Sequence, residues 1–146
     1  NGMLYGGAVG TGFAVFESMG YAMNIYMGSG FFGLFQFATD NAFDKMVNVI
    51  GLRAFLSPGG HIAWAAMEGA FLLIVLGGKE FKWSAIISPK YLTFLAIPVA
   101  LHAVWDMPIL NFSILFVPVK QTALSVIAWI IILVFLHRGL SEINEI

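Results

Sequence analysis

Long apolar runs separated by short polar stretches are the dominant pattern along this chain. A helix that crosses a bilayer needs about 20 mostly apolar residues. By that measure the sequence predicts four membrane-spanning helices, at residues 3–27, 61–76, 91–110 and 121–136. The predicted fold class is all-α, a polytopic transmembrane helix bundle in a single membrane-embedded domain over residues 1–146. Because the chain enters an apolar run directly at Asn1, we expect this domain to be a C-terminal part of a longer protein.

Residues 28–60 have a mixed character and are not predicted to span the membrane. Within them, an aromatic run at 31–37 is too short to cross a bilayer. Asp40 and Asn41 then supply side chains of the kind that cap helix N-termini. We therefore predict a short helix over Ala42–Leu56 at the membrane interface. A Ser-Pro-Gly-Gly turn follows and predicts a break before the next helix.

The composition fits a membrane protein and excludes several other classes. Hydrophobic residues make up 60 % of the chain and charged residues only 10 %. Soluble domains are about 45–50 % apolar and about 25 % charged, and a soluble chain of this length cannot bury so much apolar surface. With 7 basic against 8 acidic residues, the chain has no positive field for nucleic acid. It also has no cysteine, which excludes a thiol nucleophile. We predict a multi-pass integral membrane protein with lipid, and no nucleic acid, as a partner.

Ionisable side chains inside the apolar runs are the candidate functional groups. Each costs about 2.5–3.5 kcal/mol at the centre of a spanning helix, and such groups face a bundle interior or a wet cavity. They are Glu17, His61, His102 and Asp106. His102 and Asp106 lie four residues apart on one helix face, where a carboxylate fixes the tautomer of an imidazole. A purely structural role, in which these groups only hold helices together, is the alternative.

A second group of residues is predicted to line a polar cavity around these side chains. Three of them lie within two turns of Glu17 on the same helix, and the fourth lies seven residues after His61 and faces the same way. The four are Phe13, Tyr21, Asn24 and Glu68. For Glu68, pairing with another polar group is the alternative to a functional role.

Glycines recur every four residues at Gly2, Gly6 and Gly10. In a membrane, such a strip of small residues lets a second helix approach closely. We therefore expect the face of the first helix that carries Glu17 to contact another helix and not lipid.

Three segments of the chain resemble the PrsW family of intramembrane proteases. Residues 6–17 form a glycine-rich segment that ends in Phe-xxx-Glu, similar to the family's FxxxE motif. Residues 53–61 resemble the family's Pro-Gly-His step, with one extra glycine, and residues 101–106 resemble its HxxxD motif. The three segments occur in the family's order. PrsW proteases are related to a larger group of CAAX prenyl proteases and bacteriocin-processing enzymes, the CPBP superfamily.

The resemblance implies hydrolysis of peptide bonds in membrane-associated proteins by an activated water. It implies Glu17 and His102 as the catalytic core, and no serine or cysteine nucleophile. It also implies that Asp106 orients His102 and that His61 is a further catalytic group. The implied substrate is a membrane-anchored protein or peptide, and we expect the location to be a prokaryotic plasma membrane.

The sequence leaves the cofactor open. Zinc accepts nitrogen and oxygen ligands in a tetrahedral site, and its ligands would come from Glu17, His61, His102 and Asp106. No HExxH pattern is present, so the spacing gives no support for zinc. We expect a site that works without a metal or with an optional one. The family's EExxK motif is also absent from this sequence; we expect it upstream, and without it the fragment itself would be inactive.

The alternative to an enzyme is a small transporter or a membrane scaffold with a polar helix-bundle core. Intramembrane Glu, His and Asp also serve proton relays in transporters. A transporter favours an internal repeat with broken helices in both halves, and no such repeat is visible in this sequence.

Overall fold

Helices form nearly all of the ordered structure in the computed structural model, which describes residues 1–27, 41–109, 112–114 and 117–144. The helices are α1 (Gly2–Tyr26), α2 (Ala42–Leu56), α3 (His61–Leu76), α4 (Trp83–Ile86), α5 (Pro89–Asp106) and α6 (Val119–Asn144), with a 3₁₀ turn at Ser57–Gly59 between α2 and α3. Two short antiparallel strands, β1 (Ser113–Ile114) and β2 (Val117–Pro118), pair Ser113 with Pro118. The all-α class is confirmed.

The predicted helices agree with the observed ones, apart from two ends and two small elements. The fourth predicted span ends at residue 136, whereas α6 continues to Asn144, because a polar stretch ends an apolar run without ending a helix. The third predicted span ends at Asp106 and not at 110, because Met107 precedes a proline and takes an extended conformation with ψ 139°. The short helix α4 and the strand pair were not predicted. The aromatic run at 31–37, Asp40 and Leu110 lie outside the described residues.

Local sequence explains where α3 and α5 begin and end. Gly77 ends α3 in the left-handed conformation, with φ 56°, which glycine adopts without steric cost. Ser88 caps α5, since its Oγ accepts a hydrogen bond from the backbone N–H of Tyr91 at 3.3 Å. Pro98 lies inside α5 and is buried, as proline can be where neighbouring helices cover it.

Glycines on α1 allow it to lie directly against α3. A methyl group added at Gly6 would fall on the carbonyl oxygen of Ala65. One added at Gly10 would fall on the carbonyl oxygen of His61, and Gly2 is equally crowded. The expected small-residue contact is therefore confirmed, and its partner is α3. Because Glu17 lies two turns beyond Gly10, this contact holds it beside the first turn of α3.

The helix α3 is the centre of the fold, since α1, α5 and α6 all pack against it. Phe71 on α3 is fully buried, with the ring of Phe94 from α5 at 5.1 Å and the ring of Phe135 from α6 at 5.0 Å. This aromatic cluster fixes α5 relative to α3. It thereby sets the position of His102, which lies two turns beyond Phe94 on α5.

Two helical stretches in the described part of the chain are long and apolar enough to cross a membrane. They are Ala42–Leu76 and Val119–His137, with mean hydropathies of 1.5 and 2.1. The helices α1 and α5 are long enough to cross a membrane but less apolar than these two stretches. In α1 the reason is its glycines and Glu17, and in α5 it is Lys90 and Asp106 near its ends. Four spans and an interfacial α2 therefore stay predictions.

Candidate active site

Three helices bring Glu17, His61 and His102 together at the first turn of α3. Glu17 comes from α1, His61 is the first residue of α3, and His102 comes from the last turns of α5. One nitrogen or oxygen atom of each lies within 4.8 Å of the other two, and all three residues are half-buried.

His61 has one ring nitrogen beside a carboxylate and the other without a partner. Its Nδ1 lies 3.4 Å from Oε2 of Glu17. Its Nε2 is buried and has no hydrogen-bond partner among the described residues. A carboxylate next to Nδ1 favours the tautomer with hydrogen on that atom. The lone pair of Nε2 is then available, and buried nitrogens without a partner are uncommon unless they serve a ligand or a reaction.

His102 is paired with Asp106 one turn further along α5. Its Nε2 lies 3.2 Å from Oδ2 of the carboxylate, as the four-residue spacing predicted. The Asp106 side chain is 58 % exposed and lies outside the cluster of Glu17, His61 and His102. Its geometry is that of a group that orients His102, because a carboxylate on Nε2 leaves Nδ1 for other contacts.

Aromatic rings surround the two histidines. Trp64 stacks on His102 with ring centroids 4.7 Å apart, and Phe13 lies 4.9 Å from His61. Trp105 contacts Trp64 edge-on at 5.3 Å. Trp64 was missed, although its position three residues after His61 places it on the same helix face.

Arg53, near the end of α2, was also missed as a functional residue. Its Nη2 donates to Oε2 of Glu17, and its Nε donates to Oγ of Ser18 at 3.1 Å. The guanidinium carbon lies 4.3 Å above the ring of Tyr21. Arg53 begins one of the segments that resemble the PrsW family, but an arginine in the last turn of a helix is common and gave no further signal.

The four predicted cavity residues lie around the cluster in different ways. Phe13 touches His61, and Tyr21 lies beneath Arg53. Glu68 is half-buried and within electrostatic range of His102, whereas Asn24 is exposed near the end of α1.

A cavity of about 180 Å³ opens beside His61. Its polar lining includes Ser18, Arg53, Ser57 and Gln121, with Trp105 as an aromatic wall. None of the four predicted cavity residues is part of its described lining. The sequence periodicity placed residues on a helix face, but this cavity is closed by α2, α6 and the turn before α3.

The donor set of the cluster fits a metal ion. Ligands of a tetrahedral zinc, at about 2.0–2.1 Å from the ion, lie about 3.4 Å from one another. One nitrogen or oxygen atom from each of Glu17, His61 and His102 lies within 4.8 Å of the other two, which approaches that spacing. The buried Nε2 of His61, which has no partner in the described part of the chain, is an unused donor of the type that zinc prefers.

Fold and site together define a helical membrane protein with a half-buried histidine–carboxylate cluster suited to hydrolytic or metal chemistry. A model of the PrsW family of intramembrane metalloproteases matches residues 1–136. The chain therefore belongs to the PrsW family, as the three motifs indicated. Comparison with curated proteins and with solved structures gives no match.

Family membership supports an intramembrane protease function and a location in a membrane. Because the family is described as metalloproteases, membership is also consistent with a metal at this site, which the sequence left open as optional.

Proposed function

We propose that this protein hydrolyses peptide bonds of membrane-anchored proteins or peptides, with Glu17, His61 and His102 as its catalytic groups. The observation that carries the proposal is their convergence within 4.8 Å from three separate helices. Polar groups are costly inside an apolar bundle, and where several meet they usually mark a functional site. The bundle would lie in a prokaryotic plasma membrane with four spans.

Glu17 is the group that takes the proton from the attacking water. Both Arg53 and His61 approach it through Oε2, which leaves Oε1 for the water. As the water oxygen bonds to the peptide carbonyl carbon, its proton passes to Oε1. When the carbon–nitrogen bond breaks, the proton passes on to the leaving nitrogen, so the carboxylate ends as it began.

His61 and His102 hold the reacting water, and Asp106 keeps His102 in the tautomer that frees Nδ1. If the site takes a metal, Glu17, His61 and His102 would hold it. When bound, zinc would supply a more acidic water and a positive charge for the carbonyl oxygen. Trp64 and Phe13 limit the access of bulk water to these groups, which strengthens their electrostatic interactions.

A cleavage assay with the intact full-length protein, purified into lipid nanodiscs, tests this proposal. The substrates are a library of single-pass membrane peptides, and mass spectrometry detects the products. His61→Ala should abolish cleavage, whereas His137→Ala, which removes an exposed histidine at the far end of α6, should not change it. A chelator should remove activity and added zinc should restore it. Equal cleavage by wild type and His61→Ala would refute the proposed site.

A further inference from the structure

Arg53 makes three contacts with one face of α1. It donates hydrogen bonds to the side chains of Glu17 and Ser18, and it lies over the ring of Tyr21. The side chain of Arg53 is only 21 % exposed and that of Glu17 only 24 %. The planar guanidinium fork engages two acceptors at once and stacks on an aromatic ring, which a lysine cannot reproduce.

The contact with Glu17 reaches His61 through a single oxygen atom. Oε2 of Glu17 accepts from Arg53 and also lies 3.4 Å from Nδ1 of His61. The position at which Arg53 holds this oxygen therefore sets its distance from the imidazole. That distance determines how strongly hydrogen on Nδ1 is favoured, and hence whether the buried Nε2 keeps its lone pair for the reaction.

We infer that Arg53 is a positioning residue for the active site. This inference rests on the proposed function. It means that α2, through Arg53, positions the Glu17 carboxylate beside His61. Arg53 lines the cavity beside His61, but in the proposed mechanism it acts through Glu17 and not on the reacting water. By holding Oε2 of Glu17, which also lies beside Nδ1 of His61, it favours one tautomer of that histidine.

The first test measures the tautomer of His61 directly and does not depend on catalytic activity. The method is NMR of ¹⁵N-histidine-labelled protein. The chain has only three histidines, so the spectrum has few signals, and the signal that disappears in His61→Gln belongs to His61. In metal-free wild-type protein we expect hydrogen on Nδ1 and a bare Nε2. In Arg53→Gln we expect a mixture of both tautomers. A His61 spectrum that is unchanged in Arg53→Gln would overturn the inference.

The second test separates positioning from folding by kinetics. Arg53→Gln should lower kcat about 10- to 100-fold, the usual effect of losing a group that orients a site residue, while KM stays within twofold. Added guanidinium should restore part of the lost kcat. The matched control is Lys45→Gln, which removes a positive charge from an exposed position of the same helix and should leave kcat unchanged.

If Arg53→Gln does not fold, Arg53→Lys takes its place, because it keeps the charge and loses the fork. It should give the same mixture of tautomers and an intermediate kcat. Wild-type kcat and a wild-type His61 spectrum in Arg53→Lys would overturn the inference. Failure of the proposed function is a different result: His61→Ala would then cleave as wild type does, while the spectra of the Arg53 variants would still decide the role of Arg53.

Discussion

At the scale of single residues, each histidine of the site lies beside a carboxylate. Glu17 approaches Nδ1 of His61, and Asp106 approaches Nε2 of His102. The two pairs engage opposite ring nitrogens, so in each ring the other nitrogen is not held by that carboxylate. Carboxylates in such positions orient the ring and raise its basicity. In the proposed mechanism, the carboxylate beside each ring therefore decides which nitrogen of that ring takes part.

The His102–Asp106 pair predicts a variant that lowers the cleavage rate without lowering the stability of the protein. Asp106→Asn keeps the shape of the side chain but removes its charge, so we expect kcat to fall about tenfold. Because Asp106 is 58 % exposed, the thermal midpoint in detergent should move little. Cleavage kinetics and a thermal melt of the same preparation check this. A large fall in the midpoint with an unchanged kcat would show that the pair is structural.

The candidate site could be predicted from the sequence only where the signal is local. Glu17, His61 and His102 are unusual because they interrupt apolar runs, and the cost of such interruptions makes them visible without a structure. Arg53 is an ordinary residue for the end of a helix, and its partner lies 36 positions earlier in the chain. Nothing in the spacing of either residue predicts that contact.

At the scale of elements, the glycine strip of α1 determines how close that helix lies to α3. Gly6 and Gly10 face backbone oxygens of α3, whereas Gly12 has nothing within 4 Å in the described part of the chain. The four-residue spacing predicted a close helix contact but not which helix makes it. The partner depends on the whole arrangement, since Ala65 and Gly69 of α3 supply the matching small residues.

This difference between glycines gives a matched pair of variants. Gly6→Ala forces its methyl group onto a carbonyl oxygen and should destabilise the protein by about 1–3 kcal/mol, the usual cost of overpacking. Gly12→Ala meets open space and should be neutral or stabilising, because alanine favours helix over glycine. Thermal unfolding in detergent measures both. Equal effects of the two substitutions would show that α1 does not lie against α3 as described.

A second close approach joins the turn before His61 to α6. A methyl group at Gly59 would overlap the side chain of Ser125. Gly59→Ala should therefore lower the thermal midpoint, and Ser125→Gly should recover part of the loss in the double variant. A double-mutant cycle on thermal stability gives this coupling. Strictly additive effects would contradict the contact.

At the scale of the whole molecule, large apolar side chains cover much of the outside of the bundle. Ile130 and Leu133 on α6 are 55 % and 56 % exposed, and Phe16 on α1 is 75 % exposed. An outer surface of this kind matches lipid, and the polar groups are gathered on the inside at the first turn of α3. Composition predicted this inside-out distribution, but the number of spans depends on how each helix lies in the bilayer.

Four spans predict a definite sidedness for the polar connections. Residues 45 and 109 should lie on one side of the membrane and residue 79 on the other. The chain has no cysteine, so single cysteines at these positions can be labelled without background. A membrane-impermeant maleimide on sealed vesicles should label Lys45→Cys and Ile109→Cys together, and Lys79→Cys only after the vesicles are opened, or the reverse. Labelling of all three from one side would contradict four spans.

The central claim is that Glu17, His61 and His102 form the hydrolytic site. The most direct test measures the residual cleavage activity of the Glu17→Gln/His102→Ala double variant together with its thermal stability. The reference is Ile132→Ala, which removes buried volume from the core on α6, two turns beyond Ser125 and outside the aromatic cluster that positions α5. Measured below its own thermal midpoint, the reference should cleave membrane peptides as wild type does. The double variant, equally folded, should give no cleavage above background. Wild-type cleavage by the folded double variant would contradict the account.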